Sequence, residues 1–242
     1  MMVAHRNRAQ ERTYRDRHPR QFNPDRLALA RGRTGLSIVG VALLVFTFLF
    51  IVVWKDGSGG TDAAITLKLQ KRNHPYFDRL MHIVSWAGFP PQSRIIPPSL
   101  SAALWLLGFR LEAVFQFLAW GTGGFSFLFK SIMRRARPGP DLPEIRVTIA
   151  KIGGSSFPSG HVLNYMGVYG FLTYLAFTWI HPAIIRRTIV GLTAGLLTLV
   201  GPSRIYLGHH WFTDVMASYC LGTAYLVVLS GFYRRIRIRL GH

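Results

Sequence analysis

The sequence predicts an all-α membrane protein, a polytopic bundle of six transmembrane helices with interfacial helices on the outer side. Two observations carry this prediction. Half of the 242 residues are hydrophobic and only 16% are charged, against about 25% charged in ordinary soluble domains. Nearly uncharged apolar stretches also recur along the chain, at or near the roughly 17–25 residues that cross a bilayer as a helix. The hydrophobic content excludes a disordered chain. The single cysteine, Cys220, excludes a framework of internal disulfides. With 29 Lys+Arg against 10 Asp+Glu the formal charge is +19, which raises nucleic-acid binding as a first thought. Apolar stretches of spanning length interrupt the basic segments, so no nucleic-acid partner is expected.

The first span is Thr34 to Trp54, which has no charged residue. Ile95 to Phe109 is shorter and has Pro97 and Pro98 near its start. Ala113 to Phe129 follows, separated only by Arg110 and Glu112. Val162 to Ile185 is uncharged, and Pro182 is expected to end its helix near Ile180. Thr188 to Ser203 is short and strongly apolar, and Val215 to Tyr233 is the sixth span. Each would satisfy its own backbone in lipid as a helix. The resulting domains are a basic cytoplasmic tail (1–33), a six-span membrane domain (34–233) and a second basic cytoplasmic tail (234–242). A cleavable signal is not expected, because the polar leader is long and no small-residue cleavage pattern follows the apolar run. Glu11, Asp16 and Asp25 argue against an Arg-rich transit peptide.

Orientation follows from Lys and Arg in the loops. The first 33 residues hold nine arginines, and Arg234, Arg235, Arg237 and Arg239 lie near the other end. An even number of spans puts both ends on one side, so both termini are read as cytoplasmic. Arg110 and the Arg186-Arg187 pair fall on that side too. The segment from Lys55 to Arg94 carries six basic residues on the outer side. It is long, Asp56, Asp62 and Asp78 offset part of its charge, and it is read as helices lying at the interface. The basic tails are read as topology signals attracted to anionic lipid, at about 1 kcal/mol per residue near the surface. A bacterial plasma membrane is the expected location, with the site on the outer side. No oligomeric state follows.

Two outer segments remain, Lys130 to His161 and Ser203 to about Asp214. They gather Lys130, Arg134, Arg135, Arg137, Arg146, Lys151, His161, Arg204, His209, His210 and Asp214 beside the membrane. Ionisable residues there are costly and read as functional. The balance is cationic, with only Asp141, Glu144 and Asp214 opposing, so the pocket suits an anion such as phosphate.

Three motifs sharpen this reading. In KSIMRRARP, Lys130 and Arg137 stand seven residues apart, two helical turns, which would put both on one helix face before Pro138. PSGH, residues 158–161, follows Gly153-Gly154-Ser155-Ser156. Ser159 and Gly160 at a helix start offer a hydroxyl and backbone N–H groups to an anion. In SRIYLGHHWFTD, His210 and Asp214 are spaced i, i+4. Asp214 needs a partner at the mouth of an apolar helix, and His210 is the natural one. A carboxylate on one ring nitrogen would leave the other as base or nucleophile. His209 is read as interfacial. Each motif alone has a structural reading: snorkelling cations, an ordinary N-cap, a structural His–Asp pair. Their meeting on one side of the membrane favours a site.

Together the motifs resemble the signature of the type 2 phosphatidic acid phosphatase superfamily: K-x6-RP, then PSGH, then SR-x5-H-x3-D. Lys130 to Pro138, Pro158 to His161, and Ser203-Arg204 with His210 and Asp214 match in order, and the x5 spacing selects His210 over His209. The resemblance implies that His210 attacks phosphorus and forms a phosphohistidine. Asp214 would orient it, and His161 would protonate the leaving oxygen and later activate water. Lys130, Arg137, Arg204, Ser159 and the Gly160 N–H would bind the phosphoryl oxygens. It implies no metal and no cofactor. Haloperoxidases share the motifs but resemble soluble proteins, so six spans point to a lipid phosphate or diphosphate. Phosphatidic acid, phosphatidylglycerol phosphate, undecaprenyl diphosphate and lipid A phosphates all remain open. The rival readings are a metal-dependent hydrolase and a non-catalytic lipid-phosphate binder or transporter. Adjacent histidines diverging by about 100° on a helix disfavour the first, and an intact His–Asp pair disfavours the second.

Overall fold

A computed structural model of the chain describes residues 32–240, apart from 57–58, 73, 140–141, 143 and 149–151. The readings that fall on the leader before Gly32, on Asp141 and on Lys151 lie outside the described residues. Those residues form helices and no strands: α1 (Gly32–Asp56), α2 (Gly59–Gln70), α3 (Pro75–Trp86), α4 (Gln92–Leu106), α5 (Arg110–Ala119), α6 (Thr122–Met133), α7 (Gly160–Trp179), α8 (Ala183–Tyr206) and α9 (Phe212–Arg239). By length and composition α1, α8 and α9 can each cross a membrane.

The sequence places the helix boundaries closely in some regions and not in others. Helix α7 stops at Trp179, and α8 starts directly after Pro182, as the proline dictates. Helix α4 begins three residues before Ile95 and carries Pro97 and Pro98 within it. The stretch from Ala113 to Phe129 is two helices rather than one. The chain turns at Trp120-Gly121, where the Gly121 N–H and the Tyr225 hydroxyl both donate to the Leu118 carbonyl, at 2.8 and 2.5 Å. Gly121, Gly123 and Gly124 weaken helix propensity there. Helix α9 runs past Tyr233 to Arg239.

Helix α7 lies at the centre and packs against α5, α6, α8 and α9, while α1 lies along α9. Phe115, Phe171, Tyr174 and Tyr233 fill one end of the bundle, and Phe46, Phe157, Leu163 and Leu221 fill a layer nearer the other. At the first end, the Tyr233 hydroxyl donates to Glu112 Oε1 at 2.6 Å and accepts from Trp179 Nε1 at 2.9 Å. A groove lined by Gly32, Leu36, Phe232 and Arg235 puts the start of α1 beside the end of α9. Leu36, Leu44, Phe48, Leu106, Phe127 and Ile184 face outward. Lipid is a solvent that tolerates such a surface, and helix association within it rests on van der Waals packing and interhelical hydrogen bonds.

Candidate active site

The three motifs converge at the other end of the bundle, where α6 and α8 end and α7 and α9 begin. Their route there differs in part from the sequence expectation. Helix α6 stops at Met133, four residues before Arg137, and Arg134 takes a left-handed φ of 47°. Lys130 and Arg137 therefore do not share a helix face. They meet because the chain after Arg134 runs back along the segment before PSGH. The Ser156 N–H donates to the Arg135 carbonyl at 2.9 Å, the Ser155 hydroxyl accepts from the Arg135 N–H at 3.0 Å, and the Ser156 hydroxyl donates to the Ala136 carbonyl at 3.1 Å. Both cations then reach one acceptor: Lys130 Nζ and Arg137 Nη2 donate to the Ser155 carbonyl at 2.9 and 3.2 Å.

Ser159 stands at the N-cap of α7, but its hydroxyl makes no capping bond. Its N–H donates to Ser218 Oγ at 2.7 Å, and Ser218 in turn donates to the Asp214 carbonyl at 2.6 Å. Gly160 lies beside Ser126 and Lys130. Ser159 Oγ, His161 Nε2 and Arg204 Nε are buried without a hydrogen-bond partner. Donors left in this state are costly unless a ligand completes them.

His210 lies in the turn between α8 and α9, two residues before the helix that carries Asp214. The turn is held by the His209 and His210 N–H groups, which both donate to the Arg204 carbonyl, at 3.0 and 3.2 Å. The hydrogen-bond partner of His210 Nδ1 is the Ser156 carbonyl at 2.7 Å, while Asp214 Oδ2 stands at 3.6 Å. A carbonyl only accepts, so Nδ1 carries the proton. Arg137 Nη1 lies 3.1 Å from Nε2 and can only donate, so Nε2 presents its lone pair. Burial, then the charges of Arg137, Arg204 and Lys130, hold the His210 pKa well below the usual imidazole range. Asp214 is fully buried; Oδ2 accepts from the Trp211 N–H at 2.9 Å and Oδ1 from Arg135 Nη1 at 2.5 Å.

Arg204 is 1% exposed, donates to Ser85 Oγ at 2.5 Å and stacks over the Phe89 ring at 4.8 Å. His161 meets the same ring edge-to-face, with centroids 4.5 Å apart. Phe89 belongs to the turn between α3 and α4, as does Gly88, where a Cβ would collide with the His161 ring. His209 is buried rather than interfacial: its Nε2 is 3.1 Å from Thr148 Oγ1 and its ring is 5.9 Å from Phe89. Burial and the charges of Arg204, Arg137 and His82 push its pKa down to about 3.

Sequence reasoning missed Ser85, Gly88, Phe89 and Asp62, and gave Arg135 no role. Arg135 stood inside a motif already singled out. The others lie on the segment read as interfacial, and their only signal was the charge of Asp62. Among the described residues, no group of three or more His, Cys, Asp or Glu side chains is placed to hold a metal ion.

A helical bundle with buried cations and histidines gathered at one end defines an anion-handling membrane protein. The sequence profile of the PAP2 superfamily matches residues 112–238, and the chain belongs to that family. It is a hydrolase, a lipid phosphate phosphatase. Phosphatidylglycerophosphatase B of Bacillus subtilis (strain 168) is 25% identical over 198 residues, covering 80% of this chain and 94% of that one. The fold resembles the crystal structure of a transmembrane PAP2-type phosphatidylglycerolphosphate phosphatase from Bacillus subtilis. That likeness has a TM-score of 0.67 and 21% identity and covers 82% of this chain and 96% of the other. LpxE of Aquifex aeolicus is similar at a TM-score of 0.57 and 19% identity, over 72% of this chain and 97% of its own.

Proposed function

We propose that the chain hydrolyses a lipid phosphate or diphosphate through a phosphohistidine on His210, without a metal ion. The observation that carries this is the state of His210: Nδ1–H is held by the Ser156 carbonyl and Nε2 is left as a lone pair beside Arg137. Nε2 attacks phosphorus and the bond to the lipid oxygen breaks. That oxygen takes a proton from His161, in the imidazolium form that a bound phosphate dianion favours. Water then attacks the phosphohistidine and gives its proton to His161, which releases phosphate and restores His210. Lys130, Arg137 and Arg204, with the Ser159 hydroxyl and the Gly160 N–H at the start of α7, neutralise and position the phosphoryl oxygens. Phosphoryl transfer depends chiefly on such positioning and charge neutralisation.

Six membrane passes are the matching topology: α1, α4, the α5–α6 pair, α7, α8 and α9. The start of α1 and the end of α9 share one end of the bundle, as an even number of passes requires. Arg110, Arg186, Arg187, Arg234, Arg235, Arg237 and Arg239 cluster in the helix ends and links on that side, which supports placing it in the cytoplasm and the site outside. Helices α2 and α3 then lie at the outer interface. Among the candidate lipids, phosphatidylglycerol phosphate has the support of the Bacillus relatives' names.

The test is phosphate release by purified protein in detergent with EDTA, over phosphatidylglycerol phosphate, phosphatidic acid and undecaprenyl diphosphate. Release that persists in EDTA and disappears in His210→Ala is expected. Release that EDTA abolishes would overturn the metal-free reading, and no release from folded protein would favour a binder or transporter.

A further inference from the structure

Beside the phosphate-binding groups lies a second buried charge system. Asp62, in the first turn of α2, is 3% exposed, and Arg135 is 7% exposed. Arg135 Nη2 donates to Asp62 Oδ2 at 2.6 Å, and Arg135 Nη1 donates to Asp214 Oδ1 at 2.5 Å. Thr213 ties the same groups together. Its N–H donates to Asp62 Oδ1 at 2.9 Å, its hydroxyl donates to Asp62 Oδ2 at 2.7 Å, and that hydroxyl oxygen accepts from Arg135 Nη1 at 2.7 Å. Arg135 thus links Asp62 of α2 to Asp214 by hydrogen-bonded ion pairs, and Asp214 Oδ2 stands 3.6 Å from His210 Nδ1, close enough to act on the ring through its charge.

Charges this deeply buried cost several kcal/mol each unless paired, so their retention beside a reactive group needs a reason. A guanidinium on Asp214 weakens the field that Asp214 exerts on the imidazole. A carboxylate on that guanidinium restores part of the field. The linked carboxylates and guanidinium carry one net negative charge, divided between a near carboxylate and a far one. Phosphorylation of Nε2 makes the His210 ring cationic, and that is the moment at which this charge acts.

We infer that Asp62 and Arg135 are positioning residues that set the effective charge of Asp214, and through it the stability of cationic His210. This deepens the proposed phosphohistidine reading and rests on it. It also gives α2 a part in the chemistry, although α2 lies outside the 112–238 stretch that matches the family profile. Among the described residues, the remaining ionisable groups near His210 are Lys130 and Arg137 from the end of α6 onward, Arg204 of α8, His161 of α7 and the adjacent His209. All are unchanged in the variants below.

The experiment follows the His210 ring by NMR in 13C-histidine-labelled protein in detergent, with its signal assigned by loss in His210→Gln, while kcat and KM are measured in parallel. Asp62→Asn removes the carboxylate that shares Arg135 with Asp214, so Arg135 offsets more of the Asp214 charge and the His210 titration midpoint should fall. kcat should fall about 10- to 100-fold, as when outer partners of a reactive site are removed, with KM nearly unchanged. Arg135→Gln should move the midpoint in the opposite direction, upward. The double variant, which again carries one net negative charge, should bring the midpoint back toward wild type. Should Arg135→Gln not fold, the isosteric Asp62→Asn and the double variant carry the test. Midpoints that stay fixed, or that move the same way in both single variants, would overturn the inference. Midpoints that move as expected in a protein without His210-dependent phosphate release would uphold the charge chain and refute the phosphatase mechanism instead.

Discussion

Arg137 Nη1 lies 3.1 Å from His210 Nε2 and 2.6 Å from the His209 carbonyl. One guanidinium thus ties the backbone of the turn that carries the proposed nucleophile to the imidazole itself. The contact also settles the tautomer, since a guanidinium has no lone pair to offer and Nε2 must supply one.

Arg137→Lys should therefore be far from silent. Lysine keeps the charge but cannot span His209, His210 and Ser155 at once. A lost charge-assisted hydrogen bond is worth about 1.5–3 kcal/mol, roughly a 10- to 100-fold fall in kcat/KM. Steady-state kinetics on the best lipid of the panel would check it, and normal kinetics would remove Arg137 from the site.

Asp214→Asn should lower kcat strongly while the protein stays folded. By analogy with a His-orienting carboxylate in hydrolases, a fall of up to about 10⁴-fold is the scale. The amide can still accept from the Trp211 N–H, so the start of α9 persists while the charge is lost. An unchanged kcat would mean that Asp214 serves only to cap the helix.

Gly88→Ala tests the turn above His161. Its Cβ would enter the space of the His161 ring, and relief requires movement of a buried backbone or of that ring. Overpacking of this kind costs about 1–3 kcal/mol. A lowered melting temperature with a disproportionate loss of kcat is expected. Full activity would show that His161 has no need of its present position.

The two adjacent histidines predict how stability depends on pH. Both are held neutral in the fold, His209 with a pKa pushed down to about 3 and His210 well below the usual range. In the unfolded chain each would titrate near about 6.5. Below that pH the unfolded state binds protons that the native state refuses, so stability falls as pH falls. Their contribution is fully present above pH about 6.5 and diminishes by up to about 1.4 kcal/mol per pH unit for each histidine below it. Melting temperature should drop between pH about 6.5 and 5, and His209→Asn should flatten the slope. A profile that is flat or rises on acidification would contradict the burial of these rings.

Much of the candidate site was legible because the residues that the structure brings together lie in short motifs whose types and spacing point to one chemistry: Lys130, Arg137, His161, Arg204, His210 and Asp214. The path by which they meet was less legible. Helical spacing placed Lys130 with Arg137, and His210 with Asp214, yet in each pair one member lies outside the helix. Arg134 in a left-handed conformation and the turn at Gly208, with a φ of 70°, bring them together instead. Local periodicity cannot register such returns of the chain. The apolar runs located α1, α7, α8 and α9 well because a helix that is surrounded by lipid or by other helices is apolar on nearly every side. They missed the break at Gly121, where the Tyr225 hydroxyl from α9 also bonds the Leu118 carbonyl. The parts played by Asp62 and Phe89 were not legible for the same reason: they lie in contacts made across long stretches of sequence.

The central claim is that His210 Nε2 takes the phosphoryl group, and rapid quenching tests it most directly. Protein mixed with 32P-labelled lipid phosphate in EDTA, quenched in alkali within one turnover, should carry label that survives base and is lost in acid, as expected for a phosphoramidate. That label should be absent from His210→Ala. Turnover by wild-type protein with no trapped label at any quench time, or equal labelling of His210→Ala, would contradict the account.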